Sequence, residues 1–221
     1  MDNLEEDFKN LKDEICGLKL NRIFKETDNT YELFSYNDET SHQKVRIYLH
    51  SETDEYRIEI GFGLNKFCLT ELFTDNLDTF KAVLYNNLEK IIKSVSDFSG
   101  SQNFFLREKG LINWQYGCNL PPVLEGFELF ISPNNILEIT NGSFVIIDYC
   151  DFNINSDLVI YYNIFRDDFG GEVRINGTPT VIYDFDANNL NELEGKLQLN
   201  LNKRLSDIRL SIENSINKHD I

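Results

Sequence analysis

An internal echo constrains this chain more than any other feature. When Asn76 is laid on Asn189, an offset of 113 in the numbering, NLDTFKAVLYNNLEKIIKSV (76–95) and NLNELEGKLQLNLNKRLSDI (189–208) come into register. They agree at Asn76/Asn189, Leu77/Leu190, Leu84/Leu197, Asn87/Asn200, Leu88/Leu201 and Lys90/Lys203, six of twenty positions. Shared leucines count for little, because any two amphipathic helices in register show them. The two Asn pairs and the Lys pair carry the extra weight. The same offset lays TYELFSYN on SFVIIDYC and FCLTELF on TVIYDFD, strand on strand. The order strand, strand, strand, strand, helix therefore occurs twice, read either as duplication or as coincident α+β patterning. Each such unit buries one sheet face under its helix and leaves the other for water, its twin or a partner.

Periodicity fills in the elements. Leu4, Phe8, Leu11, Ile15 and Leu18 recur at three- and four-residue spacing among acids and lysines, which predicts an N-terminal amphipathic helix stopping near 17–20. Residues 30–36, 44–50 and 55–62 read as an antiparallel meander, with a fourth strand near 66–70. A long helix follows, striped by Leu77, Phe80, Leu84, Leu88, Ile91, Val95 and Phe98, capped by Asp75 and ended by Ser99-Gly-Ser101. Strands resume near 127–131, 136–140, 143–149, 157–164, 172–175 and 180–185. They lead to a last helix striped by Leu190, Leu193, Leu197, Leu201, Leu205, Ile208, Ile212 and Ile216, then a polar tail. The expected fold is α+β: two related halves of antiparallel sheet, each followed by an amphipathic helix, plus the N-terminal helix. Its divisions are 1–100, a connector 101–126 holding Trp114, Cys118 and Pro121-Pro122, and 127–221.

Charge sets the class of partner. With 21 Lys and Arg against 37 Asp and Glu, the formal charge is −16, which repels nucleic acid and attracts a basic protein. The start MDNLEEDFKN is unlike a secretory signal and no apolar run approaches a membrane span, so the expectation is a cytoplasmic protein without membrane contact. Between Val123 and Glu194 thirteen acids face only Arg166 and Arg174, marking the C-terminal half as the anionic one.

No catalytic signature appears. Cys16, Cys68, Cys118 and Cys150 lie far apart, with only His42, His50 and His219 to join them, so no zinc site is expected and no cofactor is implied. Asn141-Gly142 and Asn176-Gly177 read as hairpin turns. Asp184-Phe-Asp186-Ala-Asn188 begins like a calcium loop, but Asn189 stands where glycine is needed and Gly195 where a bidentate Glu is required. Asp186 or Asn188 is read instead as the cap of the last helix, with Glu192 reaching back towards Asn189. Cys118 lacks a basic neighbour in sequence and reads as a small buried residue; His50 reads as a paired surface histidine.

The most suggestive stretch is DLVIYYNIFRDDFGGEVR (157–174), where Tyr161, Tyr162, Phe165 and Phe169 alternate with Asp157, Asp167, Asp168 and Glu172 around a Gly170-Gly171 hinge, with Asp184 and Asp186 just beyond. Aromatics supply contact area at small entropic cost and carboxylates steer a cationic partner. The plainer reading is a hairpin whose aromatics pack inside. Together with size and charge, this region and YDFDANNLNELE resemble the immunity proteins that bacteria make against their own polymorphic toxins. The resemblance implies a non-enzymatic inhibitor that covers the basic cleft of a cationic toxin domain. An alternative is a cytosolic chaperone for a secreted effector, holding its client along an exposed sheet; a third is an enzyme of unknown type.

Overall fold

The computed structural model describes residues 4–27, 29–96, 104–139 and 141–219, the side chains of 215–219 excepted. The chain divides into two units, residues 1–97 and 98–221. The first opens with α1 (Leu4–Asp7) and continues through β1 (Glu14–Ile15), β2 (Leu18–Thr27), β3 (Thr30–Asp38), β4 (Gln43–His50), β5 (Glu55–Phe62), β6 (Asn65–Cys68) and α2 (Leu77–Ser96). Its six strands form an antiparallel meander in chain order. The second contains α3 (Phe104–Glu108), α4 (Gln115–Cys118), β7 (Val123–Leu124), β8 (Phe127–Ile131), β9 (Leu137–Glu138), β10 (Ser143–Asp151), β11 (Ser156–Asn163), β12 (Asp168–Ile175), β13 (Thr178–Ala187) and α5 (Leu190–His219). Its sheet runs β13-β12-β11-β10-β8-β7, with β9 paired to β10. The fold is α+β, mostly strand, with one long helix after each sheet. Among the described residues no helix is long and apolar enough to cross a membrane.

The central strands and the helix start of the two units repeat at one offset. β3, β4 and β5 fall on β10, β11 and β12, bound for bound, at the offset read from the sequence, and the two long helices start at the matching residues Leu77 and Leu190. Registers repeat too: Arg46 faces Glu59 as Val159 faces Glu172. The bulge between Glu32 and Phe34 recurs between Val145 and Ile147, and the bridge Tyr56–Thr74 recurs as Phe169–Ala187. Left-handed backbone appears at His42 and Asn155, Asp54 and Asp167, Gly63 and Asn176. A one-residue slip would turn every side chain to the wrong face, so shared register means shared buried faces.

The matched asparagines have a physical role. Asn76 Oδ1 accepts from Thr79 N at 2.9 Å and Asn189 Oδ1 accepts from Glu192 N at 3.0 Å, so each caps its helix. The expected caps, Asp75 for the first helix and Asp186 or Asn188 for the last, are therefore replaced by asparagines slightly further along; Glu192 does reach back, to the amide of Asn188. Below the caps, Phe80, Leu84, Leu88, Ile92 and Val95 are buried in the first unit. Leu193, Leu197, Leu201, Leu205, Ile208 and Ile212 are buried against Leu158, Ile160 and Phe185 in the second. Each buried leucine contributes roughly 1.5–3 kcal/mol. Phe98, Ser99-Gly-Ser101, Thr140 and the chain's last two residues lie outside the described residues, as does the Ile216 side chain.

The N-terminal helix is a single turn. Leu4, Phe8, Leu11, Ile15 and Leu18 are all buried as their spacing demands. From Glu14 onward, however, the chain is a hairpin whose two turn residues, Cys16 and Gly17, have φ of 50° and 87°. Gly17 inside a helix would cost about 1 kcal/mol, whereas β2 gains a ladder along β3. Four of the ten residues of β2 are charged, as suits a strand that only the two residues of β1 pair with on its outer side. The connector is also part of a core: Leu106, Leu111, Trp114 and Leu120 pack with the second sheet. The Trp114 ring lies against Gly117, where a Cβ would stand 2.3 Å from it. Asn176-Gly177 joins β12 to β13 as a two-residue turn, and Asn141-Gly142 precedes β10, both with positive φ.

Candidate functional site

The stretch singled out above becomes the β11–β12 hairpin, and the register sorts its residues. Tyr162 and Phe169 face each other across the strands, buried, with ring centroids 5.0 Å apart. Gly170 and Gly171 are no hinge but the interior of β12. The Tyr161 ring crosses Gly170, leaving a Cβ there only 2.7 Å away, and Phe185 and Ile182 press on Gly171. Asp157 is fully buried beside Arg174. Glu172 lies 3.7 Å from Arg174, Asp184 takes two 2.8 Å hydrogen bonds from Arg204, and Asp186 is exposed. Asp157, Tyr162 and Phe169 therefore take no part in a surface.

What remains at the surface is the hairpin tip. Asn163 Oδ1 accepts from the amides of Phe165 and Arg166, both at 3.0 Å, which folds the tip into an Asx turn. Asp167, at φ 55°, accepts from Tyr162 Oη at 2.7 Å and from Lys109 Nζ. Lys109 also donates to the carbonyl of Asn188, tying the tip to the end of β13. Its ammonium and the Tyr162 hydroxyl hold the Asp167 carboxyl below the usual carboxylate range. Burial and Asp167 push the Tyr162 hydroxyl up, so it stays protonated and donates. Phe165 stands 78% exposed at the centre of this fastened loop, and Asp168 is half-exposed beside Arg166. Sequence reasoning missed Lys109, which lies far upstream of Asp167 and gave no local signal.

A second surface feature is the free edge of the sheet. β13 pairs only with β12 among the described strands, and Val181 and Tyr183 project from it, 52% and 76% exposed. An unpaired edge with exposed apolar side chains is a template for strand addition.

The charge distribution departs from expectation. The two units carry −8 each, 12 bases against 20 acids and 9 against 17. The bases missing from 123–194 lie on α5, and the fold returns them to the acids: Arg204 to Asp184, Arg209 to Asp151 at 2.9 Å, Lys196 to Glu192 at 2.8 Å. The C-terminal half is not the anionic one.

A polar cluster that sequence reasoning did not assemble lies on the helix-free face of β10 and β11. Asp148, Cys150 and Asp157 are fully buried, and one donor atom from each lies within 4.8 Å of the others. The Cys150 thiol donates to Asp148 Oδ1 at 3.1 Å, Arg174 donates to Asp157 Oδ2, and Asp157 Oδ1 has no hydrogen-bond partner. Burial first and the nearby Asp148 second raise the Asp157 carboxyl well above the ordinary carboxylate range, outweighing Arg174. Burial also pushes the Cys118 thiol up, the opposite of what a thiolate nucleophile needs. His50 Nδ1 lies 3.2 Å from the Thr53 hydroxyl at the strand end. No family model, curated protein or solved structure matches this chain.

Proposed function

We propose that the protein is a non-enzymatic cytoplasmic binding protein whose β11–β12 hairpin tip covers the basic site of a cationic protein partner, in the manner of an immunity protein against a toxin domain. One observation carries this reading: an exposed aromatic, Phe165, sits on a loop already fastened by Asn163, Tyr162 and Lys109. A preordered tip loses little entropy on insertion into a cleft, and an aromatic anchor beside a carboxylate suits a basic pocket. Asp167 belongs to the fastening, so the steering carboxylates in this reading are Asp168 and Asp186.

The test is binding to the basic product of the neighbouring reading frame. Phe165→Ala is expected to weaken the complex by about tenfold or more through faster dissociation, and Asp168→Lys to slow association, with the melting temperature unchanged in both. Full binding by both variants would remove the tip from the interface. The unpaired β13 edge favours a second reading, a chaperone that adds a client's extended segment to its sheet. A one-to-one complex with a folded, inactivated partner supports inhibition; a dimer holding an unfolded segment supports chaperoning.

A further inference from the structure

We propose that the helix-free face of the first sheet holds a binding site for a small phosphate monoester, centred on Gly61. Strand register builds it. Lys19 faces Asn37, Asn37 faces Lys44, Lys44 faces Gly61 and Gly61 faces Lys66, so β2 to β6 place three lysines and no acid in one row across the sheet. Directly paired residues share a face, and neighbouring strands lie about 4.8 Å apart. Gly61 therefore lies one strand from Lys44 on one side and one strand from Lys66 on the other. Having no side chain, it leaves an open floor between two arms that carry ammonium groups. The fold does not dictate this row: the matching one in the second unit reads Cys150, Asp157, Arg174 and Pro179.

The floor has walls. Gly61, Lys44 and Lys66 line a concavity of about 310 Å³, enough for a small ligand. At one end the Gly63 amide donates to the His42 carbonyl at 2.9 Å, which ties the β5–β6 turn to the β3–β4 turn. Along the side Arg46 lies 3.2 Å from Glu32 and donates to Thr30 Oγ1 at 2.9 Å. Lys44 lies 3.4 Å from Glu32, a single loose contact that leaves ammonium protons to donate. Lys66 is exposed, and no carboxylate among the described residues lies within ion-pair distance of it.

These contacts select the ligand. The guanidinium that would grip a carboxylate with two bonds is already engaged by Glu32, so the donors left are ammonium groups on opposite sides of one point, which suit a dianionic phosphate. Glu59 meets Arg46 only at 3.9 Å, so its carboxylate is left to accept from hydroxyl groups on the rest of the ligand. The net charge of −16 repels a long polyanion, but salt screens charges beyond about 10 Å, and a small dianion inside the concavity meets Lys44 and Lys66 first.

The test is independent of the hairpin tip, which belongs to the second unit. The full chain is titrated with glycerol phosphate, with inorganic phosphate and with acetate, following backbone amide shifts by NMR. Saturable binding of glycerol phosphate that moves the amides of Gly61, Gly63 and Lys66 is expected, with inorganic phosphate weaker and acetate weaker still. Lys66→Met should weaken binding by about tenfold. Gly61→Ala should weaken it as well by raising the floor; the added Cβ would stand 3.4 Å from the Lys44 Cβ, an ordinary contact that the strand tolerates. Lys19→Met removes the same charge from the same row but outside the concavity, and should leave binding within about twofold. Melting temperatures show that each variant is folded. Glycerol phosphate bound no tighter than acetate, or equal losses from Lys19→Met and Lys66→Met, overturns the proposal.

Discussion

Lys44 in the first sheet and Asp157 in the second hold the same place in the repeat, and they face Gly61 and Arg174, which also correspond. Around Lys44 the helix-free face is polar and open. Arg46 lies 3.2 Å from Glu32 and 3.9 Å from Glu59, its guanidinium 4.4 Å above the Tyr48 ring. Glu32, Lys44, Arg46, Glu59 and Gly61, with His42, Gly63 and Lys66, line a concavity of about 310 Å³. Around Asp157 the same positions hold Val145 for Glu32 and Val159 for Arg46, both buried. The helix-facing sides hardly differ in character, because Phe80, Leu84 and Leu88 are held by packing as firmly as Leu193, Leu197 and Leu201. Packing thus fixes one face of each unit and leaves the other free to take on different chemistry. The tips teach the same lesson: Asp54 and Asp167 share a left-handed backbone, but only the second tip lifts an aromatic, at the position where the first has Glu52.

The equivalence of the helix-facing sides breaks or holds on the largest effect. Leu84→Ala and Leu197→Ala should each cost about 3 to 4 kcal/mol in denaturant unfolding. A clearly smaller loss at either site would mean that the two cores are packed differently. The contrast of the other faces gives the next test. Arg174→Met leaves Asp157 buried without its donor and is expected to cost about 2 to 3 kcal/mol, whereas Lys44→Met, at a half-exposed pair, should change stability by less than about 1 kcal/mol. Similar losses would erase the contrast. The smallest effect sharpens the comparison of tips. Since Asp167 is held below its ordinary value of 3.8, its stabilising contribution is present above that pH and is lost as pH falls through the lower, folded value. A carboxyl titration by NMR should find its midpoint below 3.8, returning to the ordinary range in Lys109→Ala.

Much of this scaffold was legible in the residues. The repeat was visible in two Asn pairs, one of which, Asn76 and Asn189, has the local role of capping, and both leucine stripes face their sheets as their period demands. Asn141-Gly142 and Asn176-Gly177 are turns because few residues tolerate positive φ in succession. The N-terminal stripe misled because burial at three- and four-residue spacing is also what a turn followed by a hairpin produces when it crosses the same core. The strand from Leu18 was hidden by Lys19, Arg22 and Lys25, charges an edge strand carries. Of the candidate interface, Phe165, Asp168 and Asp186 remain outside, while Asp157, Tyr162 and Phe169 lie within.

The sequence by itself determined where most helices and strands would fall and that they would fall twice, because periodic burial, capping and turn chemistry act over a few residues. Only the tertiary structure decided which residues meet. Lys109 on Asp167, Arg204 on Asp184 and Cys150 opposite Asp157 join different elements of the second unit. Each depends on strand register and helix docking, which no local pattern encodes.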